Sequence, residues 1–322
     1  MSKVLKAGIL TSGGDAPGMN AAIRALVRVS ACFGHRVYGI NHGYQGLWNG
    51  DYREITTKDV GGTINMGGTI LGTSRFPDLL QFETVKKMSA KVKKYGFDVI
   101  YVIGGNGSLK GAIDLARCGT RSIVLPGSID NDLPGSSYSI GSDTALNTIL
   151  DAVDKIKDTA SSHERAFLIE VMGRDSGYLA MMSAISGGAD AAIIPERKFD
   201  IRKLVSFIKT RKKMGKKNTI IIVAEGAGSV EDLKAGLQGK IPYDVRIVIL
   251  GHLQRGGSPT SFDRIMASRL ARYAVESFDK GIYNILCGFH KEECVGIPFS
   301  SVKRLKPKDF SNDIKTIEYL AL

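Results

Sequence analysis

Several features that would narrow the function are missing from this sequence. No apolar run in its 322 residues approaches the roughly 20 needed to cross a bilayer, so no membrane partner is expected. Cysteine is scarce: Cys32, Cys118, Cys287 and Cys294 are scattered and form no metal-ligand spacing. A reduced cytoplasmic protein is the natural reading. The opening residues, Met1 to Leu5, run directly into an expected strand without a signal-peptide layout. Acidic residues are outnumbered, 32 against 44 basic, for a formal net charge of +12. Nucleic acid would suit that charge, as would phosphorylated small molecules. The basic runs Lys86-Lys87, Lys91 to Lys94 and Arg211 to Lys217 fall on expected helix faces or ends. No nucleic-acid module or stacking-aromatic pattern accompanies them, so they read as solvated faces and no nucleic-acid partner is expected.

What is present is ordinary globular composition, 43% hydrophobic and 24% charged, enough to bury a large core. The length suggests about two domains. Strand-like and helix-like segments alternate along the chain. Val4–Leu10 is an expected strand, followed by the glycine turn Thr11 to Gly18 and an amphipathic helix over Met19–Phe33. Asp98–Ile103 is another strand, followed by Gly104 to Ser108 and a helix to about Cys118. Strand, glycine turn and helix together suit a phosphate, because small residues let backbone N–H groups approach an anion at a helix start. Neither turn is a dinucleotide fingerprint or a P-loop. A further glycine-rich loop runs from Gly67 to Pro77, where Arg75 suits a phosphate and Phe76 a base, or the stretch is a plain surface loop.

Ser122–Leu125 reads as a short buried strand that breaks at Pro126-Gly127 and leads into Ser128-Ile129-Asp130-Asn131-Asp132. Two carboxylates two residues apart suit proton abstraction or a metal, or they belong to a polar turn. Further strands are expected at Arg36–Asn41, Ala166–Val171, Ala191–Ile194, Thr219–Ala224, Arg246–Leu250 and near Cys294–Ile297. Helices are expected at Gln81–Tyr95, Thr144–Thr159, Ser176–Ser186, Ile201–Met214 and Phe262–Phe278, with a polar tail after them. The alternation argues an α/β fold with two doubly wound, Rossmann-like parallel-sheet domains. Nearly every expected strand ends in a polar or glycine cluster. Strand ends of a parallel sheet point one way, so such clusters can converge on a cleft. That convergence favours chemistry over a turn for Asp130 and Asp132.

Six motifs carry a resemblance. They are Gly13-Gly-Asp-Ala-Pro-Gly-Met-Asn-Ala-Ala-Ile-Arg24, Gly67-Gly-Thr-Ile-Leu-Gly-Thr-Ser-Arg75, Gly104-Gly-Asn-Gly-Ser108, Pro126-Gly-Ser-Ile-Asp-Asn-Asp132, Glu170-Val-Met-Gly-Arg174 and Leu250-Gly-His-Leu-Gln-Arg-Gly-Gly-Ser-Pro259. In this order, across nearly the whole chain, they resemble the bacterial ATP-dependent 6-phosphofructokinases. The resemblance implies phosphoryl transfer from ATP, with Mg2+, to the 1-hydroxyl of fructose 6-phosphate, the committed step of glycolysis. It implies a homotetramer with sites partly shared between subunits. It also implies a larger ATP-binding domain over 1–138 plus 252–304 and a smaller sugar-phosphate domain over 139–251 plus 305–322.

By the same resemblance Asp130 is the base, Asp132 supports it near the metal and sugar, and Arg174 and Ser128 stabilise the transferring group. Gly14, Arg75, Phe76, Gly105, Asn106, Gly107 and Ser108 would hold ATP. Met172, Gly173, Glu225, His252 and Arg255 would hold the sugar phosphate, with Arg165 and Arg246 reaching its 6-phosphate from a neighbouring subunit. A lone histidine is more often structural than a ligand, but His252 stands beside Arg255 and glycines at a strand end. An effector pocket for ADP or phosphoenolpyruvate would use Arg24, Arg28, Lys157, Asp190 and Lys216. The sequence departs from the pattern at several places. Asn106 stands where an Asp usually helps place Mg2+, and Ser128 replaces the commoner Thr. In the effector set Met214 and Lys157 replace arginines, Asp190 a glutamate and Gly62 an aspartate. Pyrophosphate-dependent relatives typically carry Asp and Lys where Gly107 and Gly127 stand, so these glycines are read as room for the ATP α-phosphate. A catalytically weak sugar-phosphate-binding regulator is the other alternative, and only Asn106 supports it.

Overall fold

A computed structural model describes residues 4–302 and 308–320. The chain divides into two compact units, drawn from residues 1–129, 133–144 and 255–307, and from residues 130–132, 145–254 and 308–322. The division falls inside one helix and just before Arg255, a few residues beyond the boundaries expected at 138 and 251.

The first unit holds strands β1 (Lys6–Ser12), β2 (Arg36–Ile40), β3 (Tyr52–Glu54), β4 (Val99–Gly104) and β5 (Ser122–Pro126). Its helices are α1 (Met19–Cys32), α2 (Gly43–Asn49), α3 (Phe82–Tyr95) and α4 (Asn106–Arg117). Helix α5 (Ser142–His163) begins there and continues in the second unit. The second unit adds β6 (Arg165–Val171), α6 (Tyr178–Ser186), β7 (Ala191–Ile193), α7 (Ile201–Lys213), β8 (Thr219–Ala224), α8 (Val230–Leu237) and β9 (Asp244–Ile249). The chain returns to the first unit with α9 (Ser261–Asp279), β10 (Ile285–His290), β11 (Glu293–Pro298) and α10 (Phe299–Val302), and ends in the second with α11 (Ser311–Leu320).

The first sheet runs β11-β10-β5-β4-β1-β2-β3. Its five inner strands are parallel, while β3 and β11 pair antiparallel at the two edges. The expectation of a parallel sheet therefore holds for the interior and is corrected at the edges. The β10–β11 hairpin turns through Lys291 and Glu292, both at positive φ, 46° and 65°, the backbone signs of a two-residue hairpin turn. β4 and β5 are buried along their whole length, as strands covered on both faces must be. One face packs Leu10, Ile100, Val102 and Val124 against Tyr44 and Leu47 of α2, Met88 of α3 and Leu109 and Leu115 of α4. Helices α1 and α9 pack on each other, with Ile23, Leu26, Met266 and Leu270 fully buried. Each such side chain contributes roughly 1.5–3 kcal/mol by leaving water.

Thr260 caps α9 by accepting from the Asp263 amide at 3.3 Å. Asp263 itself is fully buried and accepts from the Gly141 amide, the Thr144 amide and the Thr144 hydroxyl. It thereby ties α9 to the start of α5.

The second sheet runs β7-β8-β6-β9, all parallel. Leu168, Ile221, Val223 and Val245 pack against Leu204 and Ile208 of α7 and Val230, Leu233 and Leu237 of α8. Side-chain caps from Asp200 and Ser229 start α7 and α8. The tail expected to be merely polar forms α11, which packs on α6 and buries Ile317.

Candidate active site

In the first sheet β1 lies between β4 and β2, so the chain leaves β1 to opposite sides and the switch point is between β1 and β4. Ser12 pairs with Gly104 there, which puts the two glycine turns next to each other. Ser108, buried in the first turn of α4, donates to the Ser12 carbonyl at 2.8 Å and fastens one turn to the other. Gly13 needs its left-handed φ of 89°. Gly105 is the N-cap of α4, and Asn106 and Gly107 are exposed at its start. A side chain at Gly107 would meet nothing within 4 Å. Gly127 is different: a Cβ there would press on Ile103 at 2.9 Å and Met19 at 3.2 Å. The unit's own core is thus a second reason for glycine at this position, beside the expected room for a phosphate.

The Gly67–Pro77 loop is fastened to the same strand end. Thr11 donates to the Gly72 carbonyl at 2.8 Å and Thr73 to the Gly13 carbonyl at 2.7 Å. Asn20, 1% exposed, donates to the Gly67 carbonyl and accepts from the Ile70 amide. Arg75 is exposed on the loop, and Phe76 is partly buried against Trp48, 6.0 Å between ring centroids. Arg255, expected on the sugar phosphate, lies over Gly14 and donates to the Asp15 carbonyl at 3.2 Å. Ser128 is held by the Ile140 carbonyl, to which its amide donates, and by the Ser139 hydroxyl, which donates to its carbonyl.

In the second unit the switch point lies between β6 and β9, whose ends carry Met172 to Arg174 and Gly251 to Gln254. Gln254 is fully buried and joins the two ends. It accepts from the Met172 amide at 3.1 Å and donates to the Gly251 carbonyl at 2.9 Å. Gly173 has φ 139°, and Arg174 takes the left-handed φ of 55°. The Arg174 amide donates to Glu225 Oε1 at 2.7 Å, and its side chain is 71% exposed. Strained residues persist where surrounding contacts over-determine them, often at functional sites. The Glu170 carboxyl on β6 is pushed up by burial and by Glu231 and Glu225. His252 is exposed.

The same unit holds Asp130 (8% exposed), the left-handed Asn131 (φ 51°) and the half-buried Asp132. Lys308 donates from its ammonium to the Asn131 carbonyl at 2.7 Å. Burial pushes that ammonium down to about 8, against the opposing pull of Asp132. At the start of β6 and on the edge strand β9, Arg165 and Arg246 both face Asp244, at 4.0 and 2.6 Å.

The expected effector residues divide between the units. Arg24 and Arg28 lie on α1, half-buried and exposed. In the second unit Lys157, Asp190, Lys216 and Lys217 line a cavity of about 340 Å³. Asp190 is buried and already neutralised by Arg211 at 3.0 Å and Lys216 at 3.3 Å. It also accepts from the Ile220 amide. In the sequence Arg211 stands out only as part of a basic run.

Asn20, Gln254 and Lys308 were not singled out from sequence. Asn20 and Gln254 stand inside the quoted motifs, which is a signal. Lys308 stands in the tail and offers none.

The sequence pattern of the phosphofructokinase family matches residues 6–278. An ATP-dependent 6-phosphofructokinase of Shouchella clausii is 46% identical over 92% of this chain and 92% of its own length. An ATP-dependent 6-phosphofructokinase 2 of Bacteroides thetaiotaomicron is 48% identical over 98% and 99%. Among solved structures, Pichia pastoris phosphofructokinase in the T-state is 34% identical with a TM-score of 0.89, covering 99% of this chain. This chain spans only 37% of that longer one. A pyrophosphate-dependent phosphofructokinase of Marinobacter aquaeolei, 18% identical with a TM-score of 0.83, shares the fold. With the pattern spanning most of its length and near-half identity to bacterial relatives over almost all of it, the chain belongs to the phosphofructokinase family.

Proposed function

We propose that this chain transfers the γ-phosphoryl group of ATP to the 1-hydroxyl of fructose 6-phosphate, giving fructose 1,6-bisphosphate and ADP at the committed step of glycolysis. The observation that carries the reading is the Asp130–Asn131–Asp132 turn. A nearly buried carboxylate stands there in a turn held by a left-handed asparagine. The names of the relatives, ATP-dependent 6-phosphofructokinases, agree with it.

Phosphoryl transfer asks for positioning and charge neutralisation more than covalent chemistry. Asp130 takes the proton of the attacking hydroxyl. Arg174, with a guanidinium that suits phosphoryl oxygens, and the Ser128 hydroxyl stabilise the transferring group. The paired glycine turns, Gly14 and Gly105 to Ser108, with Arg75 and Phe76, bind ATP. The open space at Gly107 supports a nucleotide over pyrophosphate. Met172, Gly173, Glu225 and His252 bind the sugar phosphate, as does Arg255. Arg165 and Arg246 reach its 6-phosphate from a neighbouring subunit of a homotetramer. The exposed edge strand β9, with Ile249 54% exposed, supports such a contact. The assignment of an ATP-binding and a sugar-phosphate-binding domain is part of the proposal.

Among the described residues no three His, Cys, Asp or Glu side chains cluster as a metal site. Mg2+ commonly needs only one or two carboxylates, with phosphate oxygens and water completing its shell. Asp132 has the carboxylate that a Mg2+ arriving with ATP would take, and Asn106 has a neutral side-chain oxygen of the kind such an ion accepts. Among the described residues no helix is long and apolar enough to cross a membrane, and the proposed setting is the cytoplasm.

The test is the purified protein with fructose 6-phosphate, Mg2+ and either ATP or pyrophosphate. Sugar-dependent ADP release is expected with ATP and no turnover with pyrophosphate. Turnover with pyrophosphate, or none with either donor, overturns the reading.

A further inference from the structure

Lys308 occupies an unusual position for a lysine. Its ammonium donates to the main-chain oxygen of Asn131 at 2.7 Å and lies 5.0 Å from the centroid of the Tyr178 ring. Asn131 is 1% exposed and left-handed, so this bond is made to the middle of the turn that separates Asp130 from Asp132. The carboxylate of Asp132 attracts the same ammonium. The segment carrying the lysine is anchored. Phe310 is buried two residues on, and α11 packs against α6, the helix that begins with Tyr178.

Satisfying one carbonyl does not require a charge. An ammonium taken out of water loses hydration that its contacts in the folded chain must replace. A cation that both binds the Asn131 carbonyl and is attracted by Asp132 does something further, because it resists rotation of the turn that carries Asp130 and Asp132. We infer that Lys308 is a positioning residue for phosphoryl transfer: its bond to Asn131 holds the left-handed turn that aims Asp130 at the attacking hydroxyl. The inference rests on Asp130 being the base of the proposed reaction. Lys308 touches neither substrate in this role, so its loss affects turnover while leaving binding in place. Misplacement of a catalytic group by about 1 Å costs on the order of 10²-fold in rate.

The test measures kcat and both KM values for the parent, Lys308→Met, Lys308→Gln and Lys308→Arg, with melting curves for each. Met removes donor and charge. Gln carries no charge and its amide nitrogen falls one bond short of the ammonium. Arg keeps both functions. The expected result is a loss in kcat of about 10- to 100-fold for Met and Gln, KM values within about twofold of the parent, and Arg within about threefold of the parent kcat. If the Met variant does not fold, Gln carries the same comparison. A kcat for the neutral variants within about twofold of the parent overturns the inference. So does a loss that appears equally in KM, or an Arg variant no better than Gln. An active parent with unaffected variants removes this inference and leaves the proposed reaction intact. A parent without sugar-dependent ADP release removes both.

Discussion

The main-chain amide of Arg174 donates to the carboxylate of Glu225 at 2.7 Å, and Arg174 stands in the left-handed conformation at φ 55°. One acidic side chain at the end of β8 thus holds the backbone of an arginine at the end of β6. A Cβ at the following Gly226 would collide with the Arg174 carbonyl, so the two loops approach too closely for any larger residue. The guanidinium of Arg174 is aimed from a backbone that Glu225 fixes.

Glu225→Ala is expected to lower kcat by about 10- to 100-fold, because a hydrogen bond to a charged group contributes roughly 1.5–3 kcal/mol. Glu225→Gln keeps an acceptor oxygen and is expected to lose clearly less. Steady-state kinetics of the two variants decide it. Equal losses would mean that Glu225 acts through its charge on the sugar and not through the Arg174 amide.

Asp130→Asn keeps the shape of the buried side chain and removes proton acceptance. Turnover is expected to fall about 10²- to 10⁴-fold, the usual range for a general base, with little change in the KM for fructose 6-phosphate. Turnover near that of the parent would assign the base elsewhere.

Asn106 is exposed at the first turn of α4. Asn106→Asp adds a carboxylate beside the proposed nucleotide phosphates and is expected to lower the Mg2+ concentration giving half-maximal rate. A Mg2+ titration at fixed ATP reads this directly. An unchanged or higher requirement would show that position 106 does not touch the cation.

The cavity at Lys157 and Lys216 bears on regulation. Arg211 and Lys216 are both engaged by Asp190, Met214 is 70% exposed where the family resemblance implies an arginine, and Lys157 lacks the fork of the arginine the resemblance implies there. Fewer uncommitted cations remain for an anionic effector. Weak or absent response to ADP and phosphoenolpyruvate is therefore expected, since allosteric coupling is typically only about 1–3 kcal/mol. Saturation curves for fructose 6-phosphate with and without millimolar effector test it. A half-saturation shift beyond about tenfold contradicts it.

Asp263 links stability to pH. Burial raises its carboxyl from 3.8 to about 6, outweighing three hydrogen bonds that favour the charged form. The folded state therefore keeps this proton where the unfolded chain has released it. Below about pH 4 the group contributes no difference. As pH rises to about 6 the folded state loses about 3 kcal/mol relative to the unfolded chain, and the loss persists above that. Asp263→Asn does not titrate. Its stability relative to the parent, measured by chemical denaturation, is expected to improve between pH 4 and 6.5. A difference constant across that range would refute the linkage.

Much of the architecture was legible because local chemistry repeats along the chain. Apolar strands followed by glycine turns and amphipathic helices announce an α/β fold, and the inner strands and long helices lie within a few residues of where their patterns place them. Elements whose identity depends on a distant partner were not visible. β3 and β10 are strands because β2, β5 and β11 offer them edges. α8 and α11 are short and gain their stability by packing on neighbours.

The motif residues were identifiable for the same reason: glycine, aspartate and arginine at strand ends carry their chemistry in their type and spacing. What those residues touch was settled only by tertiary structure. Gly127 reads in sequence as room for a phosphate, and the folded chain adds that Ile103 and Met19 stand close to where a Cβ would be. Gln254 reads as one more polar residue in a loop, yet it is fully buried between Met172 and Gly251. Lys308 reads as tail, yet it meets a turn 177 positions away along the chain. A residue's chemical capability is a local property of its side chain. Its partner is a property of the folded chain, because burial and hydrogen bonding join segments that sequence separates.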